Sequence, residues 1–154
     1  MTAVDSRSET EVREVVRADL LSVFRIEKRS FEQPWPYVAF EGLLDAPAFF
    51  VAEFDGSVVG YVVGDTADTH GILLGHIKDI AVDPDYRQRG IGRELLSHGI
   101  ASLAAHGADR VKLEVRRSNE AARSLYAEFG FEIHHTIPSY YDDGEDAYVL
   151  VRTL

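Results

Sequence analysis

The stretch from Asp79 to Gly107 constrains this chain more than any other. An apolar run, Ile80-Ala81-Val82, stops at Asp83-Pro84, passes through Asp85-Tyr86-Arg87-Gln88-Arg89-Gly90-Ile91-Gly92, and leads into a stripe of Ile91, Leu95, Leu96, Gly99, Ile100 and Leu103. The run reads as a strand ended by Pro84, the stripe has helical spacing, and His106-Gly107 closes the helix. Gly90 and Gly92 let the backbone approach a ligand where the helix has unpaired N–H groups and its positive dipole end. Arg87 and Arg89 add positive charge, so a phosphate or pyrophosphate suits the turn. The same two glycines would also let the helix pack close on the sheet with both arginines solvated, and so short a motif does not separate the two readings.

The rest of the chain supplies strands and helices to pack around this unit. Residues 1–10 are polar and aperiodic, a loose leader, and 11–154 read as a single domain. Glu11 to Arg17 reads as a first strand, and Asp19 as the cap of a helix running through Arg29. Pro34-Trp35-Pro36 fixes a stiff loop carrying Phe31 and Trp35, followed by a short helix from Tyr37 to Leu44. Ala48–Phe54 and Val58–Gly64 flank Asp55-Gly56, a strong hairpin signal. Thr66 to Gly71 reads as a polar loop and Ile72–Val82 as a long strand. Arg110 to Val115 alternates, with Val111, Leu113 and Val115 on one face and Lys112 and Glu114 on the other. Ser118 or Asn119 caps a helix through Glu128, stopped by Gly130, and Phe131–Ile137 and Asp146–Leu154 are the last strands. This order gives an α/β chain of the α+β kind, a mixed sheet wrapped by helices.

Bulk properties exclude several functions. At 154 residues the chain is one domain in length. A formal charge of −10 argues against a nucleic-acid partner and for attraction to basic peptides or amines. Only Lys28, Lys78 and Lys112 are lysines, an acidic, lysine-poor balance that hints at a salt-rich cytoplasm. The absence of cysteine rules out disulfides, thiolate metal sites and a cysteine-borne acyl intermediate. The six histidines have no metal-ligand spacing, and His134-His135 on a strand would point to opposite faces, so no metal is expected. With no apolar run of membrane length and no secretory pattern, a cytoplasmic protein without membrane association is expected, a monomer or weak homodimer.

Arg87-Gln88-Arg89-Gly90-Ile91-Gly92 after Ile80-Ala81-Val82 resembles the acetyl-coenzyme A signature of the GCN5-related N-acetyltransferase (GNAT) family, Arg/Gln-x-x-Gly-x-Gly/Ala. Leu113-Glu114-Val115-Arg116, the run from Ser118 to Tyr126, and Phe129-Gly130-Phe131 resemble the second half of that pattern. With Phe31, Pro34-Trp35 and Tyr140-Tyr141, the likeness is to the RimI-like branch, which acetylates protein N-termini, and it covers about residues 10 to 154. It implies an acyl-coenzyme A N-acyltransferase fold, a largely antiparallel central sheet flanked by helices, with acetyl-coenzyme A as cosubstrate and a protein or peptide N-terminus as acceptor.

Such a transfer needs a neutral amine, stabilisation of the oxyanion and a proton for the departing thiolate. The resemblance implies Glu114 as the base, acting directly or through water, and Tyr126 as the thiolate's proton donor. Ile80, Ala81 and Val82 are then the strand end whose backbone binds pantetheine and polarises the thioester carbonyl. Arg87, Gln88, Arg89, Gly90, Ile91 and Gly92 hold the pyrophosphate, and Asn119, with Arg123 and Tyr126, meets the pantetheine arm. Phe31, Pro34, Trp35, Tyr140 and Tyr141 flank the acceptor groove. On the residues alone, Glu114 is equally a carboxylate paired with Lys112 or Arg116, Tyr126 a core tyrosine, Asn119 a helix cap, Trp35 a core ring, and the two tyrosines a cover for the sheet edge. Two further functions stay open. One is acetylation of a small amine or a lysine side chain; the other is a coenzyme A sensor that catalyses nothing.

Overall fold

Alternation and turn chemistry set the sheet, and the computed structural model describes it over residues 10–154. The expected leader lies outside the described residues except for Thr10, which opens β1 (Thr10–Glu14). There follow α1 (Leu20–Ser30), α2 (Tyr37–Glu41), β2 (Ala48–Phe54), β3 (Ser57–Thr69), β4 (Ile72–Val82), α3 (Ile91–Ala105), β5 (Arg110–Arg116), α4 (Glu120–Glu128), β6 (Glu132–Ile137) and β7 (Ala147–Thr153). Among the described residues the seven strands form one sheet in the order β1-β2-β3-β4-β5-β7-β6. Every neighbouring pair is antiparallel except β4–β5, so the sheet is mixed and largely antiparallel, as the sequence implies.

Each face of the sheet has its own core. Leu95, Leu96 and Leu103 of α3 pack on Val62, Ile77, Val111 and Leu113, with Tyr126 and Phe131 in the same cluster. Leu20, Val23 and Ile26 of α1 and Phe40 of α2 cover Phe49, Val51, Tyr61, Val63 and Ala81 on the other face. Glycines keep the seat of α3 smooth. A Cβ at Gly60 would lie 2.9 Å from Leu95 Cδ1 and 3.1 Å from the Ala81 carbonyl oxygen.

Local chemistry differs from the sequence reading at several places, and the second helix ends at Glu41 rather than Leu44. The first strand stops at Glu14 rather than Arg17, because a 3-10 turn at Arg17–Asp19 follows. Asp19 closes that turn instead of capping α1: its Oδ2 accepts from the Val16 N–H at 2.8 Å. Both its oxygens accept from the Arg13 guanidinium at 2.8 Å, a pairing that holds Asp19 below the usual carboxylate range despite burial. Residues 66–69 are strand rather than loop. Ladder pairing of Asp65–Thr69 with Ile72–His76 outweighs their polar character, and the turn is only His70-Gly71, at φ 53° and 82°. His134 and His135 do not face opposite ways. A register shift between Ile133 and His135 brings their Nδ1 atoms to 2.7 Å.

The feature that makes a site is where pairing fails. β4 and β5 pair only through Leu74–His76 and Arg110–Lys112. Beyond that, Ile77–Val82 and Leu113–Arg116 part, leaving one edge of each strand without a strand partner. A register shift between Val63 and Gly64, opposite Lys78, bends β4 there.

Candidate active site

A cavity of about 740 Å³ fills the gap between β4 and β5. Its walls are the end of α1 and the loop after it, His76 to Ile80 of β4, Leu113 to Arg116 of β5, the start of α4, and the β6–β7 loop.

Strict alternation on β5 buries Val111, Leu113 and Val115 and turns Glu114 to the other face, into this cavity. Glu114 Oε2 lies 2.6 Å from His76 Nε2 and its Oε1 lies 3.8 Å from Lys112 Nζ. A carboxylate can only accept, so the imidazole donates from Nε2. Burial would raise the Glu114 pKa, but the hydrogen bond from His76, with the charge of Lys112, holds it below the ordinary value. The sequence reading placed Lys112 or Arg116 beside Glu114 and missed His76. The signal was the parallel register, which sets His76 opposite Lys112 and so within reach of the next residue on that face.

Tyr126 enters the cavity from α4, 7 % exposed, its ring edge-on to Phe131 at 6.0 Å. Burial first, then the Asp79 carboxyl, raises its pKa, so the hydroxyl stays protonated. Asn119 is a helix cap and also a cavity residue: its Oδ1 accepts from the Ala122 N–H at 3.2 Å. Arg123 stands apart. Its guanidinium donates to the Arg117 carbonyl at 2.9 Å and stacks 4.8 Å above the Tyr148 ring, beside a smaller cavity behind α4.

Ile80, Ala81 and Val82 form the unpaired edge of β4, which runs toward the glycine turn. Gln88 and Gly90 take left-handed φ values of 63° and 79°, and Gly90 is the cap of α3. A Cβ at Gly90 would meet no atom within 4 Å, so the cradle is open. Ile91 is part of the core and offers the turn only its backbone, while Gly92 sits against Val82. Arg87 uses its Nε on the Val82 carbonyl at 3.2 Å. Arg89 stacks over Phe54 and Tyr86, at 5.2 and 5.5 Å. The open cradle, the unpaired α3 N–H groups and the two guanidiniums fit a pyrophosphate.

On the opposite side, Phe31 and Trp35 line the cavity, Trp35 packing at 5.5 Å on Phe40; Pro34 stiffens the loop without lining it. Tyr140 and Tyr141 face them from the β6–β7 loop, their rings perpendicular at 5.0 Å. Arg116 pins this loop, stacked 4.0 Å from the Tyr141 ring and paired with Asp143 at 2.8 Å and Glu145 at 2.9 Å. Glu145 also accepts from the Ser118 N–H. Burial pushes the Tyr141 hydroxyl up to about 12, so it remains a donor. Among the described residues no cluster of three metal-ligating side chains occurs, and no helix is long and apolar enough to cross a membrane.

The sequence profile of the acetyltransferase (GNAT) family matches residues 17–131. An N-alpha-acetyltransferase of Sulfurisphaera tokodaii is 35% identical over 157 residues, spanning 95% of this chain and 94% of the relative. The crystal structure of Ard1 from Thermoplasma volcanium superposes with a TM-score of 0.87 at 31% identity, covering 95% of this chain and 98% of that one. That of the ribosomal-protein alanine N-acetyltransferase of Escherichia coli gives 0.80 at 31% identity, with 94% and 93% covered.

Proposed function

Because the chain belongs to the acetyltransferase (GNAT) family, we propose that it transfers the acetyl group of acetyl-coenzyme A directly to the α-amino group at the N-terminus of a peptide or protein, with residues 11–154 acting as one catalytic domain. The observation that carries the reading is the Glu114–His76 pair, 2.6 Å apart, sharing one cavity with the protonated Tyr126. The names of the Sulfurisphaera and Escherichia coli relatives agree with an N-terminal acceptor.

Acetyl-coenzyme A supplies the thioester carbonyl and the thiolate leaving group. The glycine turn from Arg87 to Gly92 holds its pyrophosphate, and the unpaired edge at Ile80–Val82 presents backbone N–H groups to the pantetheine arm and the carbonyl oxygen. Asn119 adds an amide to that arm. Arg123, turned to Tyr148 and the Arg117 carbonyl, is left out of this binding. As the amine nitrogen bonds to the carbonyl carbon, its surplus proton passes to Glu114 and His76. As the carbon–sulfur bond breaks, Tyr126 gives its hydroxyl proton to the sulfur. An α-amino group, with a pKa near 8, is about a tenth neutral at pH 7, whereas a lysine near 10.4 is neutral less than a thousandth of the time. A carboxylate–imidazole pair suits the former.

The test is release of free coenzyme A with acetyl-coenzyme A and a mixture of unblocked peptides. Amine-dependent turnover is the expected result. Tight binding of acetyl-coenzyme A with no amine-dependent turnover would make the protein a sensor and end this reading.

A further inference from the structure

Three groups outside this mechanism meet in the cavity wall. α1 contributes Glu27, 2 % exposed; β3 contributes Tyr61, fully buried; β4 contributes Asp79. Tyr61 Oη lies 2.5 Å from Glu27 Oε2 and 3.2 Å from Asp79 Oδ2. Among the described residues neither carboxyl forms an ion pair with a lysine or arginine, although Lys78 adjoins Asp79 in sequence. The phenol has one hydrogen, and the shorter distance assigns it to Glu27. Two ionised carboxylates around one donor, with no cation, would set like charges against each other and leave the half-buried Asp79 unpaired, which is unfavourable. A proton on Asp79 removes that cost and gives the cluster a second donor.

Resting on the acetyl-transfer reading above, we propose that Glu27, Tyr61 and Asp79 hold a proton in the wall of the cavity that Tyr126 shares and return it to the Tyr126 oxygen in each turnover. Glu27, Asp79, Tyr126, Glu114 and His76 all line the same cavity. Around Asp79 stand Tyr61 from β3, hydrogen-bonded to it, and Glu27 from α1 on the far side of that phenol; Tyr126 from α4, Glu114 from β5 and His76 line the same cavity, and Lys78 adjoins Asp79 along its own strand. Burial first, then the neighbouring Glu27 carboxyl, hold Asp79 well above the ordinary carboxylate range, the direction that favours the proton the geometry asks for. The step balances. The Tyr126 O–H bond breaks as the S–H bond of the thiol forms; the Asp79 O–H bond breaks as the phenol re-forms; the Asp79 carboxylate regains the proton that Glu114 and His76 took from the amine. The net change is one proton moved from nitrogen to sulfur. Glu27 and Asp79 act through Tyr126 and are positioning residues.

Asp79→Asn keeps the shape and removes the proton. The first readout needs no acceptor: thermal stability of parent and variant from pH 5 to 9. The folded Asp79 binds its proton more tightly than the unfolded one, so its contribution is complete below the unfolded value near 3.9 and is lost as pH rises toward the folded value. The variant has no such loss, and its Tm is expected to gain on the parent's as pH rises. The second readout is kinetic. Asp79→Asn is expected to lower kcat about 10-fold with KM for acetyl-coenzyme A unchanged, and to add nothing in a Tyr126→Phe background, because both changes remove one function. Glu27→Gln is expected to behave the same way and serves if Asp79→Asn does not fold. Parallel stability profiles, a parental kcat, or losses that add to those of Tyr126→Phe would each overturn the proposal. A parent that turns over no amine would instead remove the acetyl-transfer reading, while the stability profiles would still decide whether Asp79 holds a proton.

Discussion

A base is defined by what its neighbours do to its proton, and for Glu114 the neighbour is His76. The sign of its shift fixes the expectation: a carboxylate held below the ordinary value is ionised through neutral pH, and it loses its charge only as pH falls through that depressed value. Glu114→Gln is therefore expected to lower kcat by about 100-fold at neutral pH with acetyl-coenzyme A binding by calorimetry unchanged. His76→Gln, which keeps a donor to Glu114 but cannot take up a proton, is expected to lower kcat with the binding constant again unchanged. A parental kcat in either variant would move the base elsewhere. Glu114 was legible because alternation on β5 shows its face and the motif shows its type. His76 was not, since a lone histidine on a strand acquires meaning only from the register of a strand that lies thirty-odd residues later in the chain. Asp79, Glu27 and Tyr61 were hidden for the same reason: three elements bring them together, and no spacing in the sequence records it.

The strand–turn–helix unit from β4 to α3 was the most legible element, because Pro84, Gly90 and the apolar stripe act within a few residues of one another. Its two edges differ in kind, and substitutions separate them. Gly90 sits at φ 79° over open space. Gly90→Asp places a strained residue and a negative charge at the α3 N-terminus, and is expected to weaken acetyl-coenzyme A binding by calorimetry with little change in stability. Gly60 is the reverse case. Its missing Cβ lets α3 seat against β3, with the Ala81 carbonyl 3.1 Å from where that atom would stand. Gly60→Ala is expected to cost about 1–3 kcal/mol, read as a lower urea midpoint at unchanged slope. The strength of β3 and β4 as a pair was the least legible feature. Asp65, Thr66, Asp68 and Thr69 have polar side chains that suit a loop, and only the partner strand, with the left-handed turn at His70-Gly71, makes the segment a ladder.

At the scale of the whole molecule, the aromatic loops line the cavity between β4 and β5, while the glycine cradle lies outside its lining, beyond the end of β4. The aromatic side sets what enters. Phe31 and Trp35 rise from a loop stiffened by Pro34 and Pro36, and Tyr140 and Tyr141 stand on a loop that Arg116 ties to Asp143 and Glu145. Rigid rings with hydroxyl donors hold an extended chain by its backbone without demanding one sequence. Hydrogen bonds from Ser118 and then Arg116 hold Glu145 down to about 2. The loop's anchor is thus complete above the unfolded carboxylate value near 4.3, and it is lost only as pH falls from there toward that depressed value. Through the working pH range the mouth keeps its shape, and the acceptor's own ionisation decides the outcome. Peptides with a free N-terminus and no lysine are therefore expected to be acetylated, with a rate that climbs from pH 6 to 8 as the α-amino group loses its proton. The same peptides N-blocked and given a lysine are expected to be poor acceptors at every pH in that range. Mass spectrometry of the products in a competition between the two sets decides it. If the blocked, lysine-bearing peptides or small polyamines react faster, the N-terminal assignment fails and a lysine or small-amine acceptor takes its place.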